Sequence, residues 1–360
     1  KMMSFYRMHY SNVHRGAYYL SEQATAEYEK ARETVARFVN AGSREIVFTR
    51  SATESINLAA ASWGMHNLKS GDEILLSEAE HHANLVPWQM VRDQTGCILN
   101  FFAVNDDGSF NPENFYRALT PRTKLVGVAG ISNVLGTVFP VKEIAAAAHA
   151  NGALCLVDAC QSVVHQKIDV KDIGCDFLAF SGHKTYGPTG IGVLYGRYEL
   201  LAAMPPYQTG GDMVKSVTLQ HTEFAEPPAR FEAGTPAIAE AVGLGAALEY
   251  MSRLGMENIA AHEKALMDYA LTRLAEIPEL KVVGTAPDKG GVIAFALGSI
   301  HPQDVAFVLD KEGVAIRTGH HCAEPIVNRM GYTSLARASF GLYTTKEDID
   351  RFVAALNKAK

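Results

Sequence analysis

No stretch of this 360-residue sequence approaches the roughly 18 consecutive apolar residues that a membrane-crossing helix requires. Residues 1–15 lack the apolar core of a secretory signal. Charge of one sign is also scarce: 33 Lys and Arg against 39 Asp and Glu give a formal net charge of −6, and no basic cluster stands out. Binding to nucleic acid or to an anionic membrane would need such a patch. The five cysteines, at 97, 155, 160, 175 and 322, contain no Cys-x-x-Cys pair, which argues against a zinc site or a disulfide framework. Repeats and low-complexity tracts are absent as well. A soluble, cytoplasmic protein with no membrane and no nucleic-acid partner is expected.

What is present is core. Hydrophobic residues make up 48% and charged residues 20% of the chain, enough for about two domains at ~150 residues each. Between 21 and 198, helix-like and strand-like segments alternate, the pattern of a parallel sheet covered by helices. Strands are expected at 46–49, 73–77, 98–104, 124–129, 153–157, 176–180 and 192–195, and helices at 21–40, 53–64 and 141–151. Gly210-Gly211 and the proline-bearing run 226–236 break the period, so this stretch is a hairpin or an excursion. Beyond it, helices at 237–253, 256–277 and 302–312 alternate with strands near 280–283, 291–296, 314–317 and 335–340. The fold class is α/β: a large domain over 1–235 with a mostly parallel seven-stranded sheet, then a smaller α+β domain over 236–360.

Chemistry concentrates at strand ends, where open α/β sheets bind ligands. The loop Ser181-Gly182-His183-Lys184-Thr185-Tyr186-Gly187-Pro188 follows the strand at 176–180. Its Lys184 suits a Schiff base, with Ser181 and His183 available to a phosphate; the plainer alternative is a solvated loop lysine. Asp158 ends the apolar strand Ala153-Leu154-Cys155-Leu156-Val157, with Gln161 three residues on. A carboxylate there can keep a pyridinium nitrogen protonated, although aspartate is equally a common helix N-cap. Thr53, in Ser51-Ala52-Thr53-Glu54-Ser55, stands at a helix N-terminus that can take phosphate. In Glu80-His81-His82-Ala83-Asn84, His81 can stack on a ring and move protons, whereas adjacent histidines on a helix diverge and make a poor metal pair. Four cysteines lie in or beside apolar runs and read as small buried hydrophobes. Cys322 differs, because its neighbours are polar and cationic. His320, His321 and Arg317 can favour its thiolate, while burial acts against it.

These residues together resemble the group II (SufS/CsdA-like) cysteine desulfurases and selenocysteine lyases of pyridoxal-phosphate fold type I, within the class V aminotransferase superfamily. The likeness runs from Asn12-Val13-His14-Arg15 through Glu80-His81-His82-Ala83-Asn84-Leu85-Val86-Pro87-Trp88, Ser132-Asn133 and Asp158 to the Lys184 loop. It continues through Arg230-Phe231-Glu232-Ala233-Gly234-Thr235-Pro236, Arg317-Thr318-Gly319-His320-His321-Cys322 and Arg337-Ala338-Ser339-Phe340. The resemblance implies pyridoxal 5'-phosphate held on Lys184, with Asp158 on the pyridine nitrogen and His81 over the ring. Asn133 and Gln161 would meet the phenolic oxygen. Thr53, Ser181 and His183 would hold the phosphate, joined by Thr235 from the second subunit of a homodimer. Arg337 would clamp the substrate carboxylate, with Arg317 as a second cation and Asn133 beside it. Cys322 would take the sulfur of L-cysteine as a persulfide, leaving L-alanine, and pass it to a SufE- or SufU-type acceptor for iron–sulfur cluster assembly. Residues 212–230 match an excursion that packs near the neighbouring active site. The family's small-residue Asp/Ala/Thr segment ahead of Asn12 is not among these residues, so the start reads as truncated. Three other functions are open to the same fold: a selenocysteine lyase, an aminotransferase with no use for Cys322, and a non-catalytic scaffold.

Overall fold

The computed structural model describes residues 1–359. Seven strands form the larger sheet: β1 (Ile46–Thr49), β2 (Glu73–Ser77), β3 (Ile98–Phe102), β4 (Thr123–Ala129), β5 (Leu154–Asp158), β6 (Phe177–Ser181) and β7 (Gly192–Gly196), in the order β1-β7-β6-β5-β4-β2-β3. The pairs from β3 across to β6 are parallel, and β7 runs against both neighbours. The central strands are apolar on both sides because helices cover both faces. Alternation sends Val126, Val128, Cys155, Val157, Leu178 and Phe180 into one core, and Leu125, Leu156, Phe177 and Ala179 into the other. By the same period, Asp158 and Ser181 share the second face, at the carboxyl ends of adjacent strands. That places them beside the helix Ala52–Leu58, whose Ala52 and Ile56 belong to the second core.

Several local details differ from the sequence pattern. A helix at Met2–Met8 was not expected. The helix after β1 begins at Ala52 and widens to π-helical hydrogen bonding over Ala59–Gly64. Glycine at 64 suits this packing, since a Cβ there would lie 3.2 Å from Trp88 and Val91. Expected strand ends slip by a residue at β5 and β6, and that slip matters: Asp158 and Ser181 are the last residues of their strands rather than loop residues.

The interval after β7 contains a two-stranded hairpin, β8 (Val214–Val217) and β9 (Thr222–Phe224), with Leu219 almost fully exposed at its tip. The smaller sheet is wholly antiparallel: β10 (Leu280–Val283), β11 (Val292–Leu297), β12 (Arg317–Gly319) and β13 (Leu335–Ser339), in the order β10-β11-β13-β12. Helices Met256–Leu274, Pro302–Lys311 and Lys346–Lys358 pack with it around a third core. The expected strand over 314–317 is corrected to Arg317–Gly319, because pairing with β13 starts only at Arg317 while Val314 and Ile316 pack against the third core. Helix Ile238–Leu254, which follows the expected boundary, packs on the first core together with helix Tyr19–Val39. Among the described residues no helix is long and apolar enough to cross a membrane.

Candidate active site

Two groups of side chains, one from each sheet, face each other. The first lies at the strand ends of the larger sheet. Asp158 is 5% exposed and its Oδ1 accepts the Cys160 N–H at 2.9 Å. The Ser181 hydroxyl accepts the Ala52 N–H at 2.9 Å, tying the end of β6 to the first turn of helix Ala52–Leu58. Glycine at 192 permits this closeness, since a Cβ there would sit 2.5 Å from the Ser51 backbone. Lys184 closes the 3-10 turn Gly182–Lys184 directly after β6 and is half-buried. Thr53 and His183 are exposed on the same rim. Gln161 stands at the N-cap position of the short helix Ser162–His165, one turn beyond Asp158.

His81 opens the turn after β2, and its Nδ1 accepts the Ala83 N–H at 3.0 Å. Burial pushes the imidazole down to about 4; the Asp158 carboxylate opposes that shift, while Lys184, His82 and Arg317 add to it. The ring is therefore neutral near pH 7 and lies within the fields of groups from β5, the Lys184 turn and β12. Its neighbour Glu80 is fully buried: Oε1 accepts from the Ala129 N–H at 2.9 Å and Oε2 from the Asn84 amide at 2.7 Å. Asn84 in turn accepts from the Trp88 indole at 3.0 Å. Burial raises the Glu80 carboxyl to about 8, with the Asp158 charge adding to the effect. Replacing the fully buried Trp88 with Ala would cost about 3–5 kcal/mol.

The second group comes from the smaller sheet. Arg317 and Arg337 are directly paired across β12 and β13. Arg317 donates from Nη2 to the Cys322 Sγ at 3.2 Å. Arg337 donates from Nη1 to the Asn133 carbonyl at 2.7 Å, while its buried Nε has no partner among the described residues. Burial, and then Arg317, lower Arg337 to about 10, with Cys322 opposing. Two like charges and an unsatisfied donor in a half-buried place call for an anion.

Cys322 is half-buried, whereas Cys97, Cys155, Cys160 and Cys175 are buried. His321 and Cys322 both have left-handed backbones, at φ 54° and 59°. For residues other than glycine this costs of order 1–3 kcal/mol each and persists only where the surroundings impose it. Here they do. The Asn133 amide donates to the His321 carbonyl at 2.7 Å, and the His82 N–H donates to the Cys322 carbonyl at 2.7 Å. Both donors lie on loops that follow strands of the larger sheet, His82 after β2 and Asn133 after β4. Of the cations that can favour the Cys322 thiolate, His321 is held neutral: its ring is 2% exposed, is bonded through Nε2 to the Leu335 carbonyl, and is pushed by burial down to about 4. Arg317 is the cation in contact with the sulfur. Thr235 is exposed, in the loop before helix Ile238–Leu254. That loop is anchored by Glu232, which pairs bidentately with buried Arg32 at 2.7 and 2.8 Å and accepts the Tyr28 hydroxyl at 2.9 Å.

The family model "Aminotransferase class-V" matches residues 1–352. The chain belongs to the class V aminotransferase family. Within that family, it is 52% identical over 356 residues to a cysteine desulfurase of Dickeya dadantii, covering 98% of this chain and 86% of the relative. It is 51% identical to a probable cysteine desulfurase of Synechocystis, covering 99% and 86%. Among solved structures, the apo cysteine desulfurase of Thermococcus onnurineus superposes with a TM-score of 0.96 at 39% identity, covering 99% of this chain and 89% of that one. The cysteine desulfurase CsdA of Escherichia coli, solved as an S-sulfonic acid, gives 0.93 at 39% identity, covering 99% and 90%. Family and donor set agree on pyridoxal 5'-phosphate: a carboxylate for the pyridine nitrogen, a primary amine for the aldehyde, an imidazole for the ring, and hydroxyl and imidazole donors for the phosphate. Neither Glu80 nor His82 is marked out by the sequence pattern alone. The signal that could have marked them was a charged and a titratable residue flanking His81 directly after a buried strand.

Proposed function

We propose that this chain is a pyridoxal-phosphate cysteine desulfurase that converts L-cysteine to L-alanine and receives the sulfur on Cys322. The observation that carries the reading is the Cys322 thiol held 3.2 Å from the Arg317 guanidinium, across from an amine, an imidazole and a carboxylate at the ends of the larger sheet. An aminotransferase has no use for that thiol. Bound, the cofactor supplies an electron sink for charge left on the substrate's carbon.

The rest is the work of side chains. Asp158 would pair with the pyridine nitrogen and keep it protonated, and Lys184 would hold the cofactor's aldehyde and serve as the base for the substrate α-proton. Arg337 and Arg317 hold the carboxylate, a task suited to planar, permanently charged guanidinium groups. His81, neutral near pH 7, is able to pass protons. Asn133 keeps one amide hydrogen on the His321 carbonyl and has a second for the cofactor's phenolic oxygen, with Gln161 beside it. Thr53, Ser181 and His183 would hold the phosphate. Cys322 then attacks the substrate sulfur: a carbon–sulfur bond breaks, a sulfur–sulfur bond forms, and the β-carbon is reduced and takes a proton to complete alanine.

The same reading extends to a homodimer in which Thr235 reaches the phosphate of a second copy, and to a SufE- or SufU-type acceptor that relieves Cys322 for iron–sulfur cluster assembly. The decisive experiment measures alanine and persulfide from L-cysteine, with and without such an acceptor. Cys322→Ala is expected to lower alanine formation by about 10²–10⁴-fold while leaving the cofactor's visible absorbance intact. An unchanged rate would overturn the assignment. Milder loss on L-selenocysteine than on L-cysteine would mark a selenocysteine lyase, and a preparation that stays colourless with added cofactor would mark a scaffold.

A further inference from the structure

The short helix Glu324–Arg329 follows directly on Cys322, and its N-cap residue, Ala323, has no side chain able to cap it. The exposed N–H groups of a first helical turn normally need an acceptor. Here one comes from the other domain: the Glu324 N–H donates to the His82 Nε2 at 3.1 Å. The same residue's own N–H donates to the Cys322 carbonyl at 2.7 Å. His82 thus holds the chain twice just after the Cys322 side chain, and the Asn133 amide holds the left-handed turn just before it, at the His321 carbonyl. An imidazole that accepts at Nε2 carries its proton on Nδ1 and is neutral in that bond.

We propose that His82 is a positioning residue that locks the Cys322 turn from the larger domain and thereby sets the aim of the thiol. The backbone bond survives any substitution at 82 that keeps an N–H, so the ring's contribution is the cap on Glu324. Without it, the helix start and the strained turn lose their shared anchor, and Cys322 samples orientations that do not face the substrate. This inference rests on the desulfurase reading for its catalytic consequence, but the locking of the turn is independent of that reading.

The test uses the cofactor-loaded protein and three variants: His82→Gln, which keeps an acceptor oxygen, and His82→Leu and His82→Ala, which have none. Two quantities are read: the rate at which iodoacetamide alkylates Cys322, followed on its own peptide, and kcat and KM for L-cysteine. Leu and Ala variants are expected to shift the alkylation rate several-fold and to lower kcat by between about tenfold and 10²-fold, with KM and the cofactor's visible spectrum unchanged. Gln is expected to restore both to near the parent. A Leu variant with parental alkylation and kcat, or a Gln variant as impaired as Leu, would overturn the proposal. If alkylation shifts while Cys322→Ala still makes alanine at the parental rate, the lock stands and the desulfurase reading fails.

Discussion

The two halves of the site are built by opposite means. Asp158 ends a regular parallel strand and Lys184 closes the 3-10 turn directly after another, and neither residue has a left-handed backbone. Cys322 sits on two consecutive left-handed residues, and donors from Asn133 and His82, on loops of the larger sheet, bond to both of their carbonyls. The cofactor end is set by sheet topology, while the sulfur end is set by contact between the loops of the two sheets. Loss at the first should therefore be complete and local, and loss at the second graded and dependent on the interface.

The largest effect should come from the strand-end side. Lys184→Ala is expected to lower alanine formation by about 10³-fold or more and to abolish the visible absorbance of the cofactor–lysine bond; retention of that absorbance would break the contrast. Next is the interface side. Arg337→Lys keeps a charge but loses the planar fork, so KM for L-cysteine is expected to rise about 10- to 100-fold, as for a lost charged hydrogen bond, with the cofactor spectrum unchanged. An equal loss of cofactor would show that the two halves are not separable.

The smallest effect is on stability against pH. His81 and His321 each fall from 6.5 to about 4 on folding, chiefly through burial. Between those values the unfolded chain binds more protons at these two sites, so their contribution is complete above about pH 6.5 and declines as pH falls toward 4, while Glu80, raised to about 8, contributes with the opposite slope and is lost as pH rises through that value. Thermal melts across that window, compared with His321→Gln, should show a shallower decline in the variant. A parallel decline would place the acid sensitivity elsewhere.

Much of the strand-end half was legible because burial writes itself into composition. The runs ending in Asp158 and Ser181 are apolar on both faces, and a carboxylate or a hydroxyl at the end of such a run is visible in a linear reading. The interface half was legible only as identities. That Arg317 and Cys322 are close in sequence suggests a cation near a thiol, but whether His321 adds to it is open in the sequence, and burial decides against it. Its ring turns inward to the Leu335 carbonyl, a direction set by a positive φ that no periodicity encodes. His82 was passed over for the same reason: its partners are 240 and 242 residues away.

The amino-acid sequence by itself determined the two-sheet α/β plan, the positions of the lysine, the aspartate and the distinctive cysteine, and the family, because hydrophobic period and residue chemistry are local properties of the chain. Only the tertiary structure decided which cation touches the sulfur, which histidine is silent and which one braces the turn. Those outcomes depend on burial and on hydrogen bonds between residues far apart in the chain, and such bonds exist only once the domains have packed.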